Sequence, residues 1–276
     1  MSNTADTLIL VTNDDGIGSP GLTAAARAVL DFGQLWVVAP RQQQSGLGRS
    51  FPGGRITVEK SVLEIDGSAV RFFALDASPA QAVRHAVLRF LPRLPDLAIS
   101  GINYGENLGG SATISGTVGA AMEAAGFGIP ALAASLETER EYHFSHSAAV
   151  DFAPAATFVR RFARLLLAGG MPEAVDILKL EVPSEATPHT VWRMTRVSRQ
   201  PYWISPVTID EHGQRHLASY VKEIDSETLE ADSDIYALAV DRVVAVSPMT
   251  IDLTAKVDLL GLERALASQE AAFRRE

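Results

Sequence analysis

The chain has 276 residues, of which 47% are hydrophobic and 21% charged. It contains no cysteine, which excludes disulfides, thiolate metal ligands and thiol nucleophiles. The net charge of −9 argues against a nucleic-acid polymer as the main partner. The first residues, MSNTADT, lack the features of a signal peptide, and no apolar run reaches the roughly 18 residues of a membrane span. We therefore expect a cytoplasmic protein with no membrane partner.

Strand and helix patterns alternate through the first half of the chain. Ser19-Pro20 and Ser78-Pro79 each predict an N-cap followed by proline at the first helical position. In chain order, the apolar periodicity predicts a strand at 8–11, a helix at 22–32, a strand at 35–39, short strands at 56–58, 62–65 and 70–74, a helix from 78 to about 92, a strand at 97–100, a helix at 115–125 and a strand at 131–135. Such alternation predicts an α/β fold with a doubly wound, mostly parallel sheet.

The second half has a different pattern. A long helix is predicted at 144–167 and an amphipathic helix within 254–276, and between them lie strand-like runs separated by turns, at 175–182, 191–197, 202–204, 217–221 and 235–246. The run at 177–182 is able to pair with the first sheet. We therefore divide the chain into an α/β core, 1–182, and a β-rich C-terminal extension, 183–276, that ends in a helix.

Two adjacent carboxylates, Asp14 and Asp15, follow the first predicted strand. Open α/β sheets bind their ligands at the carboxyl ends of strands. Neighbouring strand residues point to opposite faces, so both acids reach one ligand only if the backbone turns there, and Gly16 and Gly18 favour such a turn. An anionic pair needs a counter-charge, and a divalent cation held by oxygen atoms is the simplest one.

The stretch from Gly16 to Gly21 also matches the G-x-G-x-x-G pattern of dinucleotide-binding sites, and Arg41 follows the second strand as in NADP sites. Two observations disfavour an NADP-dependent oxidoreductase. Asp14 and Asp15 occupy the place where a pyrophosphate would arrive, and the connection from the strand to the first glycine is too long for the usual tight turn.

Two further loops follow predicted strands and carry oxygen or anion-binding groups. Asn103 offers a neutral oxygen ligand among glycines, and Ser45 lies in a long loop near three arginines. Ser115-Gly116-Thr117 begins a predicted helix, where backbone N–H groups favour an anion. Together with the two aspartates, this set suits metal-assisted hydrolysis of a phosphate ester.

Four motifs stand in an order and spacing that resemble the SurE survival-protein nucleotidases: VTNDDG, VVAP followed by QSG, SGIN-YG-NLG and SGTVGAAMEA. The resemblance implies a Rossmann-like fold and a 5′/3′-nucleotidase, a phosphoric monoester hydrolase that converts nucleoside monophosphates to nucleoside and phosphate. It also implies a projecting C-terminal β-hairpin that is exchanged between subunits of a homodimer or homotetramer.

The resemblance also implies roles for individual residues. The ligands of a divalent cation, Mg²⁺ or Mn²⁺, would be Asp14, Asp15, Ser45 and Asn103, and the phosphate would be bound by Asn107, Ser115, Gly116 and Thr117. Asp14 and Asp15 would be the catalytic residues, since one of them is the only nearby candidate for the general base. Neither the base nor the 5′ or 3′ position of the substrate is specified by these motifs.

The chain departs from the family pattern at several positions. Arg41 replaces the usual acid after VVAP, Gln81 replaces an aspartate, Glu106 replaces a proline, and an asparagine-rich strand contains Lys179 and Glu181 instead. These departures motivate a second hypothesis, a catalytically weak homologue that binds a nucleotide or a metal. The six histidines form no metal-binding pattern and are interpreted as structural or surface residues, and no G-x-S-x-G serine-hydrolase motif occurs.

Overall fold

A mixed sheet of nine strands forms the centre of a computed structural model that describes residues 6–273. Two short segments lie outside the described residues. They are the first five residues, which belong to the segment predicted not to be a signal peptide, and the last three residues of the predicted C-terminal helix. In chain order the strands are β1 Leu8–Thr12, β2 Gln34–Pro40, β3 Val58–Ile65, β4 Ser68–Leu75, β5 Leu97–Tyr104, β6 Ala131–Leu136, β7 Ile177–Val182, β8 Trp192–Met194, β9 Trp203–Ile204, β10 Val207–Ile209, β11 Arg215–Leu217, β12 Val221–Lys222 and β13 Val244–Met249.

The order of strands in the large sheet is β3-β4-β2-β1-β5-β6-β7-β13-β8. The six strands from β4 to β7 are mutually parallel, whereas β3 and β13 run antiparallel to their neighbours β4 and β7. The predicted doubly wound, mostly parallel sheet is confirmed. The chain winds in opposite directions from β1, so the carboxyl ends of β1 and β5 flank a topological switch point, the usual ligand site of such sheets.

Helices cover both faces of the sheet: α1 Pro20–Ala28, α2 Pro79–His85, α3 Gly116–Ala125 and α4 Ala153–Gly169, while α5 Leu259–Phe273 stands apart. Side chains alternate along β1, so Ile9 and Val11 pack into the cluster beneath α1 and α4, whereas Leu10 packs into the cluster beneath α2 and α3. Burial on both faces explains why β1 is a continuous apolar run.

Both Ser-Pro pairs begin helices, as predicted. The Ser78 hydroxyl accepts a hydrogen bond from the Gln81 backbone N–H at 3.1 Å, and the Gln81 side chain accepts one from the Ser78 N–H at 3.0 Å, which completes a capping box. Ser19 occupies the equivalent position before α1, but its hydroxyl makes no capping hydrogen bond. The start of α1 is therefore marked by Pro20.

The helix predicted at 144–167 is wrong in its first nine residues, because α4 begins only at Ala153. Short polar side chains bond to the nearby backbone before that point: Asp151 accepts from the Ala153 N–H at 2.9 Å and Ser147 from the Ala149 N–H at 3.2 Å. Such local bonds compete with helix formation. Pro154, in the first turn, then fixes where the helix starts.

The strand predicted at 235–246 is also wrong in its first part, where Tyr236–Val240 form a single π-helical turn. Asp234 and Ser233 cap this turn by accepting from the N–H groups of Ile235 at 2.9 Å and Tyr236 at 3.1 Å. The strand itself, β13, starts at Val244 and joins the large sheet beside β7. The apolar run is thus divided between a helical turn and β13.

Residues 203–222 form a two-part antiparallel ribbon outside the large sheet, in which β9 pairs with β12 and β10 with β11. All side chains of β10 and β11 are exposed. The helix α5 also packs against little, since Leu260, Leu262 and Leu266 are 63%, 49% and 56% exposed. Within residues 6–273, no helix combines the length and the hydropathy needed to cross a bilayer.

A fully buried lysine links the C-terminal part of the chain to the loop after β5. The Lys179 ammonium group bonds to Asp234 at 2.9 Å, to Glu181 at 3.3 Å and to the Asn107 carbonyl at 2.9 Å. Burial alone would lower the pKa of Lys179, but the two carboxylates raise it above its ordinary value. Burial raises the pKa of Glu181 to about 7, although the Lys179 charge opposes the change.

We expect Lys179→Met to lower the free energy of unfolding by about 3–5 kcal/mol, because it leaves Glu181 and Asp234 buried without a counter-charge. Urea denaturation followed by circular dichroism measures the change. Lys256→Met, at an exposed position, serves as the control and should change stability by about 0.5 kcal/mol or less. Equal stability of the two variants would contradict a role for the buried cluster.

Candidate active site

The chain turns sharply after β1, and this turn carries both predicted aspartates. Asn13 closes it, because its side-chain oxygen accepts from the Gly16 N–H at 3.2 Å and its amide donates to the Gly16 carbonyl at 3.1 Å. Gly16 has a φ of +99°, and a Cβ there would lie 3.1 Å from the backbone of Gln42. Glycine is therefore required at this position, and the glycine-rich stretch bends the chain around the carboxylates.

Asp14 and Asp15 are both buried, with 3% and 1% of their surface exposed. Asp14 Oδ1 accepts a hydrogen bond from the Thr117 hydroxyl at 2.5 Å. Asp15 accepts one from the Tyr104 backbone N–H at 3.2 Å and one from the Gln43 side-chain amide at 3.2 Å. The two acids are thus held by different elements, Asp14 by α3 and Asp15 by β5 and the loop after β2.

The negative charge of this pair is not balanced by a cationic side chain. Among the described residues, no lysine, arginine or histidine forms an ion pair with Asp14 or Asp15. Burial raises the pKa of Asp14 to about 6. Burial and then the Asp14 charge raise the pKa of Asp15 well above its ordinary value. A buried anionic pair of this kind is stabilised by a bound cation.

The donor atoms nearby fit a hard divalent cation. Within residues 6–273, no group of three or more His, Asp or Glu side chains is arranged to hold a metal, which disfavours a nitrogen-rich site of the zinc type. The predicted set instead consists of two carboxylates, the hydroxyl of Ser45 and the amide oxygen of Asn103. All are oxygen ligands, which Mg²⁺ and Mn²⁺ prefer.

The long loop after β2, which carries the predicted serine ligand, is held by a buried carboxylate. Glu123 of α3 is fully buried and accepts hydrogen bonds from Arg49 at 2.8 Å and from Arg84 at 2.7 Å. The loop also contacts the aspartate turn directly, because the Gln44 N–H donates to the Asp14 carbonyl at 2.7 Å. Charge-assisted bonds to a buried acceptor restrict the positions that this loop can adopt.

The loop after β5 is fixed by its own hydrogen bonds. The Asn103 amide donates to the Gly105 carbonyl at 2.7 Å, so its side-chain oxygen is the atom left to act as a ligand. The Asn107 amide donates to the Ser135 hydroxyl at 3.0 Å, and the Asn107 N–H donates to Glu181 at 2.8 Å. Backbone and side chain of Asn107 are therefore both positioned by buried partners.

The N-terminus of α3 lies against the aspartate turn. Ser115 caps the helix by accepting from the Val118 N–H at 3.2 Å. Gly116 packs so closely on the turn that a Cβ there would lie 2.6 Å from the Asp14 Cβ. Thr117 follows and donates its hydroxyl to Asp14. The helix terminus that favours an anion is thus placed directly beside a carboxylate predicted to bind a metal.

One cavity of about 340 Å³ joins these segments. Five of the predicted site residues line it: Asp14, Ser45, Asn103, Asn107 and Ser115. The other three, Asp15, Gly116 and Thr117, do not line the cavity. Gly116 and Thr117 contact Asp14. Asp15 accepts a hydrogen bond from Gln43. The structure therefore brings residues from four distant parts of the sequence to one site.

Aromatic side chains also line the cavity, and sequence reasoning missed them. His143, Trp203 and Tyr220 line the cavity. The His143 ring also hydrogen-bonds with the Tyr220 hydroxyl at 2.9 Å, and the interpretation of all six histidines as structural or surface residues stays a prediction. Burial lowers the pKa of His143, which favours the neutral ring. Trp203 and Tyr220 come from the two sides of the β9–β12 ribbon, and no local sequence pattern connects them with the aspartates.

Two residues that depart from the family pattern, Arg41 and Gln81, make structural contacts outside the cavity. Arg41 forms ion pairs with Glu59 and with Asp76, and these contacts raise the pKa of Arg41 above its usual value. Gln81 completes the capping box of α2 and also donates to the Pro52 carbonyl at 2.8 Å. Neither residue lines the cavity that contains Asp14.

The family model described as "Survival protein SurE" matches residues 9–203. The chain belongs to the SurE family. It is 41% identical over 261 residues to the "5′-nucleotidase SurE" of Thermococcus gammatolerans, covering 94% of this chain and 95% of the relative. It is 40% identical over 252 residues to the protein of the same name from Archaeoglobus fulgidus, covering 91% and 94%.

Among solved structures, the SurE protein from Aquifex aeolicus is similar, with a TM-score of 0.73 and 28% identity over 95% of this chain and 99% of that chain. The predicted resemblance is thereby confirmed. The dinucleotide alternative is not favoured, since Gly16 closes the turn that carries Asp14 and Asp15 and Arg41 is already paired with carboxylates.

We expect Gly116→Ala to displace Asp14 and to reduce hydrolysis of a phosphate ester by about 100-fold or more, because misplacement by an ångström suffices for such a loss. The matched control is Gly169→Ala at the end of α4, where a Cβ would meet nothing within 4 Å. Steady-state kinetics and thermal denaturation of both variants provide the measurement. Unchanged activity of a folded Gly116→Ala protein would show that Asp14 is not constrained by this contact.

Proposed function

We propose that the protein is a metal-dependent phosphoric monoester hydrolase that converts nucleoside monophosphates to nucleoside and phosphate. The observation that carries the proposal is a buried pair of acids that has no cationic partner among the described residues, of which Asp14 lines one cavity together with neutral oxygens and a helix N-terminus. The names of its relatives, 5′-nucleotidase SurE, support the same activity. A catalytically weak binding protein is the second candidate.

In this proposal Asp14, Asp15, Ser45 and Asn103 hold Mg²⁺ or Mn²⁺. A cation bound there supplies Lewis-acid polarisation of a phosphate ester and activation of water. The protein keeps the ligand positions fixed before the cation binds, because the Asp14 and Asp15 carboxylates are already oriented by hydrogen bonds from Thr117 and Tyr104. Such preorganisation reduces the reorganisation that the reaction requires.

The phosphate would be bound by Asn107, Ser115, Gly116 and Thr117. The first turn of α3 presents backbone N–H groups whose partial positive charge favours the oxygens of a phosphoryl group. The Asn107 side chain lines the same cavity and is able to donate to one of these oxygens. Asp14 or Asp15 is the nearest group able to accept a proton from an attacking water, so we assign the general base to this pair.

The catalytically weak alternative is less well supported by the departures that motivated it. Arg41 and Gln81 make contacts outside the cavity, and Lys179 and Glu181 hold the Asn107 backbone from the buried side. Every predicted ligand is present. Of the departures, Glu106 alone lines the cavity, where it would affect which substrate binds.

We expect phosphate release from AMP or GMP in the presence of Mg²⁺ or Mn²⁺, and loss of this activity with EDTA or in Asp14→Asn. The cation should also stabilise the wild type against thermal unfolding, by about 2.7 kcal/mol at 100 times its dissociation constant, but not the variant. Asp66→Asn, on the surface, is the control. Activity that is indifferent to both treatments would overturn the mechanism, and tight nucleotide binding without turnover would favour the weak homologue.

We also propose that the extension, 183–276, makes a homodimer or homotetramer in which the ribbon is exchanged between subunits. Support comes from the exposed β10 and β11 and from the exposed leucines of α5, since apolar surfaces of this kind are typical of interfaces. Location in the cytoplasm stays a prediction.

We expect light scattering after size-exclusion chromatography to give at least twice the chain mass for the wild type. Leu262→Asp combined with Leu266→Asp should shift the protein towards the monomer, because charges are not tolerated in a buried apolar contact. Leu94→Asp, at an exposed position outside the extension, is the control. A monomeric wild type would refute the proposed assembly.

A further inference from the structure

The cavity that contains Asp14 is also lined by an aromatic cluster, His143, Trp203 and Tyr220, which we call the aromatic chamber. The His143 and Tyr220 rings are stacked with centroids 5.9 Å apart, and the Trp203 ring meets both edge-on at 5.5 and 5.3 Å. Flat aromatic surfaces bind planar rings by stacking. The same cavity contains Asn107 and Ser115 of the proposed phosphate site.

Glu106 lines the same cavity as the aromatic chamber and the proposed phosphate site, and it is 2% exposed. Its Oε1 accepts from the Tyr202 hydroxyl at 2.6 Å and pairs with Lys222 at 3.2 Å. Its Oε2 is buried and has no hydrogen-bond partner. A buried carboxylate oxygen without a donor is costly, and because Glu106 lines the cavity, a ligand bound there could supply the missing donor.

We propose that the aromatic chamber binds the nucleobase of the substrate and that Glu106 selects guanine. This inference rests on the proposed nucleotidase function and specifies its substrate. Since Oε1 is already occupied, Oε2 is the atom that accepts from the base. The volume of about 340 Å³ lies within the range of small-molecule sites.

The preference follows from the donors and acceptors of the bases. An ionised carboxylate only accepts hydrogen bonds. Guanine presents N1–H and its amino group side by side, so either donor reaches Oε2 without bringing an acceptor against it. Adenine presents an acceptor, N1, beside its amino group, and this lone pair would face the carboxylate. Hypoxanthine keeps N1–H but lacks the amino group, and should rank between the two.

The test compares kcat/KM for GMP, IMP and AMP in the metal-loaded wild type and in Glu106→Gln. We expect the wild type to favour GMP over AMP by about tenfold or more, since a site that hydrogen-bonds a substrate group discriminates strongly against its absence. In Glu106→Gln the ratio should fall to about threefold or less, because an amide is able to donate to adenine N1. Using a ratio within each variant cancels any loss that both substrates share.

The control is Glu139→Gln, which removes a carboxylate that lines only the neighbouring cavity and should leave the GMP to AMP ratio unchanged. Calorimetry also measures the binding of guanosine and of adenosine to the metal-free wild type. This measurement requires no turnover, and it does not depend on whether the variant folds. Tighter binding of guanosine supports the inference, and equal binding overturns it.

Ribose 5-phosphate, which has no base, separates the two proposals. If the wild type releases phosphate from it but shows equal kcat/KM for GMP and AMP, the base site is refuted and the phosphatase stands. If no phosphoester is hydrolysed while guanosine still binds more tightly than adenosine, the hydrolase is refuted and base recognition stands. A ratio that falls equally in Glu139→Gln would show that overall charge, rather than Glu106, sets the preference.

Discussion

The burial of two neighbouring carboxylates at the sheet's switch point is the constraint on which the rest of the site depends. Asp14 and Asp15 lose hydration without gaining a cationic side chain, so their arrangement is favourable only when something else supplies positive charge. The fold tolerates this because the turn after β1 is closed by Asn13 and Gly16, and because each acid accepts hydrogen bonds from a separate element. In the proposed function, the stability given up at this point would be regained when a cation binds.

Two ionic clusters, each formed around a buried charge, hold the remaining loops. Glu123, bonded to Arg49 and Arg84, fixes the loop after β2, and Lys179, bonded to Asp234 and Glu181, fixes the loop after β5. Both clusters bind side chains from distant parts of the chain rather than from one helix or hairpin. Buried charges of this kind add little net stability, but their geometry restricts the loops to one arrangement. The predicted metal ligands are thus positioned by residues that are not themselves predicted to bind the metal.

Much of the fold and the chemical end of the site could be predicted because the relevant signals are local. Buried strands are short apolar runs, and acids, amides and hydroxyls that follow them collect at one edge of a parallel sheet. The helix predicted from residue 144 begins only at Ala153, because side-chain hydrogen bonds of Asp151 and Ser147 compete with helix formation. The spacing of apolar residues does not reveal such bonds. The aromatic chamber was missed for another reason: Trp203 and Tyr220 approach His143 only after the ribbon folds back, a contact between segments about 60 to 80 residues apart.

The ribbon contributes to the cavity wall but supplies none of the predicted metal or phosphate ligands. Those predicted ligands follow strands of the large sheet or begin α3, whereas Trp203 and Tyr220 come from the ribbon. Glu106 is bound by Lys222 of the ribbon and by Tyr202, which precedes it. The loops after β2 and β5 are held by ion pairs that include no ribbon residue. Substitutions in the ribbon are therefore expected to alter the proposed base site while these ion pairs keep the predicted metal ligands in position. A proline at position 106 would remove the carboxylate that faces the base, so the departure at Glu106 is where this chain would acquire a preference of its own.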